Sequence, residues 1–124
     1  MLDFPKIGQG IGAYKWSNSN QELIRYAALN GLNFIDTAEE YDKGNSERVI
    51  GFAIRGIREK VILSSKFSPQ NNSYYNVLQS LDNSLKRLKT DYLDIYQLHW
   101  PNPSIPIEET IEALNYLKVS GKIR

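Results

Sequence analysis

Short apolar runs alternate with amphipathic stretches along the chain. Ile7 to Tyr14 is extended in character and carries Gly8, Gly10 and Gly12 at every second position, so one of its faces is bare. Ser19-Asn20-Gln21-Glu22 has the S-x-x-E form of a capping box, with Ser19 as N-cap. Behind it Leu23, Ile24, Ala27 and Ala28 recur with helical spacing, and Asn30-Gly31 closes the helix. Leu32 to Ile35 reads as a strand ending at Asp36. A polar loop, Thr37 to Asn45, follows, and Ser46 is the expected N-cap of a second helix with apolar positions Val49, Ile50 and Ala53. Val61-Ile62-Leu63 is the continuous apolar run of a strand buried on both faces, ending at Ser64-Ser65-Lys66. Tyr74, Val77, Leu78, Leu81, Leu85 and Leu88 then mark a third helix, with Lys86, Arg87 and Lys89 in its last turn. Tyr92 to His99 is a fourth strand. After a loop containing Pro101, Pro103 and Pro106, the positions Ile107, Ile111, Leu114 and Leu117 predict a fourth helix closed by Gly121. Lys122-Ile123-Arg124 looks like the opening of another strand.

This is a succession of four strand–helix units of about 30 residues each, the length of a βαβ crossover. It predicts α/β architecture: one parallel sheet with helices packed outside it, in a single domain over residues 1–124. Neither a linker nor a low-complexity segment interrupts it.

Composition adds mainly exclusions. At 124 residues, with 41% hydrophobic and 23% charged positions, the chain is an ordinary globular one. Fifteen basic residues oppose fourteen acidic ones, a balance that points to neither nucleic acid nor an anionic membrane as partner. The absence of cysteine excludes disulfides, thiolate zinc sites and a Cys nucleophile, and suits a cytoplasmic protein. No apolar run approaches the roughly 20 residues of a membrane span, and Met1 to Lys6 lacks the apolar centre of a signal peptide.

Parallel α/β proteins place their chemistry at the C-terminal ends of strands. The groups that stand there are Gly12-Ala13-Tyr14 after strand one, Asp36 after strand two, Lys66 after strand three, and His99, the single histidine, after strand four. Tyr41 lies in the loop five residues beyond Asp36. Each has a plain structural alternative: a turn-capping Asp, a solvated Lys, a structural His, one Tyr of eight. Their combination at consecutive strand ends favours a site. Strand parity supports it, because Ile95, Gln97 and His99 share one face while Asp94, Tyr96 and Leu98 share the other.

Such a set can do specific chemistry. A phenol titrates at about 10 and is a poor acid at neutral pH, but a neighbouring ammonium favours the phenolate and makes the phenol a better proton donor. A half-buried lysine needs a counter-charge, which Asp36 supplies, and an imidazole can orient a substrate oxygen. This apparatus protonates an oxyanion while something else attacks the carbon. None of these side chains donates a hydride, so a cofactor is implied.

The stretch Gly31-Leu32-Asn33-Phe34-Ile35-Asp36-Thr37-Ala38-Glu39-Glu40-Tyr41, with Asn45-Ser46-Glu47 and Gly51, resembles one signature of the aldo-keto reductases. Leu81 to Leu88 together with Asp91 to Pro101, ending Leu98-His99-Trp100-Pro101, resembles a second, and the likeness runs from Ile7 to Arg124. The resemblance implies a (β/α)8 TIM-barrel fold, of which this chain holds about four units, and NADPH-dependent reduction of a small aldehyde or ketone, with NADH as the alternative cofactor. It implies a catalytic set of Tyr41 as proton donor, Lys66 beside it, Asp36 as the partner of Lys66, and His99 orienting the substrate. Gly12, Ala13, Tyr14 and Asp36 would approach the cofactor, and His99 and Trp100 the substrate.

Two positions depart from the family pattern: Ala13 where Thr is frequent, and Asp42 where Gly often follows the tyrosine. A barrel needs eight units, and its phosphate site is built largely by loops after the seventh and eighth strands. The expectation is therefore an N-terminal half barrel that needs the remaining half for activity and self-associates through its open edges. The competing expectations are a non-catalytic regulatory or binding module of the same fold, and an inactive truncated fragment.

Overall fold

The computed structural model describes residues 4–124, so the reading of Met1 to Asp3 lies outside the described residues. The described residues form four strands and four α-helices in strict alternation: β1 (Gln9–Gly10), α1 (Asn20–Leu29), β2 (Phe34–Asp36), α2 (Asn45–Ala53), β3 (Ile62–Phe67), α3 (Tyr74–Leu88), β4 (Ile95–Leu98) and α4 (Ile107–Val119). The strands make one sheet in the order β1-β2-β3-β4, parallel throughout. Beyond β4, Leu93 forms a parallel bridge with Ile123, so the last residues do begin to extend the sheet. Among the described residues no helix is long and apolar enough to cross a membrane.

The helices cover one side of the sheet. Ile35, Leu63, Phe67 and Tyr96 point into that layer and pack with Ile24, Val49, Ile50, Val77, Leu81 and Leu117. Strand alternation explains the division: these strand residues share one parity, while Asp36, Lys66 and Gln97 take the other and face the uncovered side. Gly51 has a packing duty where α2 meets α3. A Cβ there would lie 2.7 Å from the carbonyl oxygens of Arg87 and Leu88, so only glycine lets the two helices approach this closely.

Several boundaries differ from the sequence expectations, each for a local reason. β1 is two residues long because the chain leaves the ladder after Ile11, whose amide donates to the Asp36 carbonyl (2.8 Å) and whose carbonyl accepts from Thr37 Oγ1 (3.1 Å). Of its three glycines, only Gly8 is demanded by packing: a Cβ there would meet Phe34 at 2.6 Å, whereas Gly10 and Gly12 border open space. β2 starts at Phe34, since Leu32 is used to end α1. The Leu32 amide donates to the Ala27 carbonyl (3.0 Å) around Gly31 at φ +98°, a Schellman closure. β3 runs on to Phe67 because β4 supplies a second partner there.

Neither expected serine cap forms. Ser19 already has helical backbone angles and makes no capping bond; Asn20 Oδ1 instead accepts from the Ser17 amide at 2.8 Å. Ser46 lies inside α2, which is entered through Gly44 at φ +81°, and its Oγ donates to the Tyr41 carbonyl at 2.6 Å. The third helix spans the predicted positions, closed by Lys89 in the left-handed region at φ 54°.

Candidate active site

The register of the sheet builds the site. Asp36 on β2 pairs with Ser64 on β3; Lys66 lies two residues further along β3 and pairs with Gln97 on β4; His99 lies two residues beyond Gln97. Steps of two keep all three on one face and climb toward the C-terminal strand ends, the stagger that tilted barrel strands create.

Lys66 Nζ donates to Asp36 Oδ2 at 2.6 Å and to the Thr37 carbonyl at 2.8 Å. It also lies 5.5 Å from the centre of the Tyr41 ring. The Lys66 and Asp36 side chains are 15% and 33% exposed, so solvent screens the pair and its main effect is to fix the ammonium in place. The Tyr41 hydroxyl lies 3.5 Å from His99 Nε2, with the two rings edge to face. The His99 amide donates to the Phe67 carbonyl (3.1 Å), and its ring stacks on Trp100, which is otherwise largely exposed. Asp36, Tyr41, Lys66 and His99 thus converge, and Lys66 stands on the uncovered face.

The loop between β2 and α2 is held firmly. Glu39 Oε1 accepts from the Ser68 amide (2.7 Å) and Asn71 Nδ2 (2.8 Å) at the end of β3. Asp42 and Lys43 adopt left-handed backbone at φ 49° and 53°, a conformation that favours glycine. Asp42 has a compensating function: its Oδ2 accepts from Asn45 Nδ2 (2.8 Å) and from the Trp16 amide (3.1 Å). Those two bonds, Asn45 first, hold its carboxyl below the ordinary carboxylate range. Trp16 Nε1 donates in turn to the Gly12 carbonyl at 2.8 Å. The loop after Tyr41 is thereby clamped to the segment after β1.

The remaining expected residues divide. Gly12 borders open space beside the strand ends, as a group approached by a ligand must. Ala13 and Tyr14 are exposed, and Tyr14 stands well away from the packed layer. Two participants were not singled out from the sequence: Thr37, which acts through its carbonyl, and Glu40, both within the stretch that resembles the first signature. Asp42 was marked there only as a departure from glycine, not for the bonds its carboxylate makes. The Glu40 Oε2 atom lies 3.3 Å from His99 Nδ1 without forming a hydrogen bond, so among the described residues the buried Nδ1 has no hydrogen-bond partner.

Fold and site together define a half barrel with its polar cluster at the C-terminal strand ends. The family profile described as "Aldo/keto reductase family" matches residues 6–124. The chain belongs to that family. It is 41% identical over 140 residues to aldo-keto reductase YhdN of Bacillus subtilis (strain 168), covering 99% of this chain and 42% of that protein. It is 43% identical over 128 residues to methylglyoxal reductase YeaE of Escherichia coli (strain K12), covering 99% and 44%. A crystal structure of a thermostable aldo-keto reductase with the inhibitor epalrestat superposes with a TM-score of 0.92 at 40% identity, over 98% of this chain and 47% of that one. An aldo-keto reductase from Klebsiella pneumoniae in complex with NADPH gives 0.88 at 44% identity, over 97% and 43%. The chain therefore spans about half the length of the relatives it matches.

Proposed function

We propose that this chain carries the proton-transfer half of an NADPH-dependent carbonyl reductase, acting on a small aldehyde or ketone within a completed barrel. The convergence of Asp36, Lys66, Tyr41 and His99 at successive strand ends carries the reading. Tyr41 gives its hydroxyl proton to the carbonyl oxygen. Lys66, the cation beside the ring, favours the phenolate left behind. Asp36 and the Thr37 carbonyl hold that ammonium at 2.6 and 2.8 Å. His99 and Trp100 line the place where the carbonyl arrives, and His99 orients it.

NADPH, when bound, supplies the hydride that the chain's side chains cannot. The residues present fit its reactive end: Gly10 and Gly12 leave the edge beside Asp36 open where a side chain would fill it. Gly12, Ala13, Tyr14 and Asp36 are the proposed contacts. A cytoplasmic location belongs to the same proposal. So does weak NADPH binding, with no turnover and with self-association through the sheet edges, when the 124 residues stand alone.

The test joins the chain to the C-terminal half of the E. coli relative and follows NADPH consumption with methylglyoxal. Activity that falls at least about 100-fold in Tyr41→Phe supports the assignment; unchanged activity shows that another group donates the proton. A second reading, a non-catalytic binding subunit, draws on 39% identity over 111 residues with a probable voltage-gated potassium channel subunit beta of Arabidopsis thaliana. It predicts no NADPH consumption even in the joined protein.

A further inference from the structure

We propose that Asp42 is a positioning residue for the segment Gly12–Trp16, holding it in one shape beside Tyr41 before the cofactor arrives. The inference rests on the site proposed above and deepens it.

The segment has two anchors. At its start, the Ile11 amide donates to the Asp36 carbonyl at 2.8 Å, and the Ile11 carbonyl accepts from Thr37 Oγ1 at 3.1 Å. At its end, the Trp16 amide donates to Asp42 Oδ2 at 3.1 Å, and the Trp16 carbonyl accepts from Asn45 Nδ2 at 2.7 Å. Asn45 Nδ2 also donates to Asp42 Oδ2 at 2.8 Å, so the carboxylate, the carboxamide and both Trp16 backbone groups form one closed set. The Trp16 indole reaches back to the Gly12 carbonyl at 2.8 Å, and its ring packs against the helix layer. Ala13 and Tyr14, two of the proposed cofactor contacts, are exposed between these anchors. The strand ladder ends at Gly10, so loss of the second anchor would leave them on a loop tethered at one end.

The position of Asp42 gives the anchor its consequence. Its neighbour Tyr41 is the proposed proton donor, and the Tyr41 carbonyl accepts from Ser46 Oγ at 2.6 Å. One short stretch therefore fixes the donor on one side and the cofactor-facing segment on the other. Hydride and proton must reach the same carbonyl group, so the relative placement of the two matters to the reaction. A segment ordered in advance also loses less freedom when a ligand binds, and the difference appears as affinity. Residue 42 has left-handed backbone at φ 49°, which glycine adopts more easily. The aspartate is thus explained by its carboxylate and not by its backbone.

Asp42→Gly separates these two, because it removes the carboxylate and suits the backbone. Asp42→Asn keeps an acceptor oxygen and tolerates the same backbone. Trp16 and Trp100 are the two tryptophans, so NMR of the chain shows two indole N–H signals, and Trp100→Phe identifies that of Trp16. Asp42→Gly should speed solvent exchange of the Trp16 indole proton by about tenfold or more, the equivalent of one charge-assisted hydrogen bond. Asp42→Asn should leave it within about threefold. In the protein joined to the C-terminal half of the E. coli relative, fluorescence titration should show the NADPH dissociation constant rising by about tenfold in Asp42→Gly and by less than about threefold in Asp42→Asn. An aspartate that serves folding alone would move the urea midpoint and leave both readouts unchanged, and that result overturns the proposal. Faster indole exchange with unchanged NADPH affinity overturns it too. If the unmodified joined protein binds no NADPH, the reductase reading falls and the Asp42 role falls with it. If that protein binds NADPH and Asp42→Gly binds it equally, the Asp42 role alone falls.

Discussion

Replacing Glu47 by leucine should remove a large share of the chain's stability, and the structure shows why. The Glu47 carboxylate is fully buried at the junction of α2, α3 and β3. Its Oε2 accepts from Arg87 Nε at 2.6 Å and its Oε1 from Ser65 Oγ at 2.6 Å. Arg87 is 20% exposed, donates also to Ser84 Oγ (3.1 Å), and passes so close to Gly44 that a Cβ there would lie 2.8 Å from its Cδ. Glu47→Leu strands a confined guanidinium and a buried hydroxyl. Removing one partner of a buried pair costs about 3–5 kcal/mol, against a total of about 5–15 kcal/mol for a typical domain. With urea slopes of about 1–3 kcal/mol/M, the midpoint followed by far-UV circular dichroism at fixed protein concentration should fall by more than about 1 M. Glu47→Leu with Arg87→Leu and Ser65→Ala should recover much of the loss, because no charge or donor is then left unpaired. A single variant with an unmoved midpoint would refute the reasoning, as would losses that simply add across the three sites.

Tyr96→Phe should be neutral or stabilising by up to about 1 kcal/mol, since the Tyr96 hydroxyl is buried with no partner among the described residues and burial has driven its acidity far down; a clear loss in a urea titration would reveal a hidden bond. Gly51→Ala should destabilise: the helix-propensity gain of about 1 kcal/mol is opposed by a Cβ pressed to 2.7 Å from the α3 backbone, where overpacking costs about 1–3 kcal/mol or more. Gly10→Ala, facing open space, is the control for thermal melts. Acid should release the clamp between Asp42 and Trp16. The folded-state carboxyl titrates below its ordinary value of 3.8, so its contribution is present above that value and is lost as pH falls through the lower, folded one. Trp16 fluorescence in a Trp100→Phe background should report the change, and Asp42→Ala should abolish the transition.

Periodicity read well wherever one side of an element is buried. α3 lies where its apolar stripe put it, and the parity of β4 placed Tyr96 under the helices and Gln97 on the open face. Boundaries were less legible because hydrogen bonds that the hydrophobic pattern does not encode set them, some local and some between distant residues. Leu32 serves a helix cap and not β2. Asp94 accepts from the Leu63 amide (2.9 Å) and from Arg58 (2.8 Å), which gives the segment before β4 a duty of its own. Serine caps failed for a similar reason, Ser46 being used to hold the Tyr41 carbonyl.

At the site, residue types at strand ends were enough to bring Asp36, Tyr41, Lys66 and His99 together, because a parallel sheet puts every such end on the same rim. What the sequence pattern does not carry is the set of groups that act through space. Asp42 departs from the glycine that left-handed backbone prefers, yet its carboxylate secures Trp16 and Asn45 and so ties the Tyr41 loop to the Gly12 segment. Glu40 lies within the same stretch, and no residue type or spacing there announces that its carboxylate comes to rest 3.3 Å from a buried imidazole nitrogen that, among the described residues, has no hydrogen-bond partner, since the fold alone brings the two together.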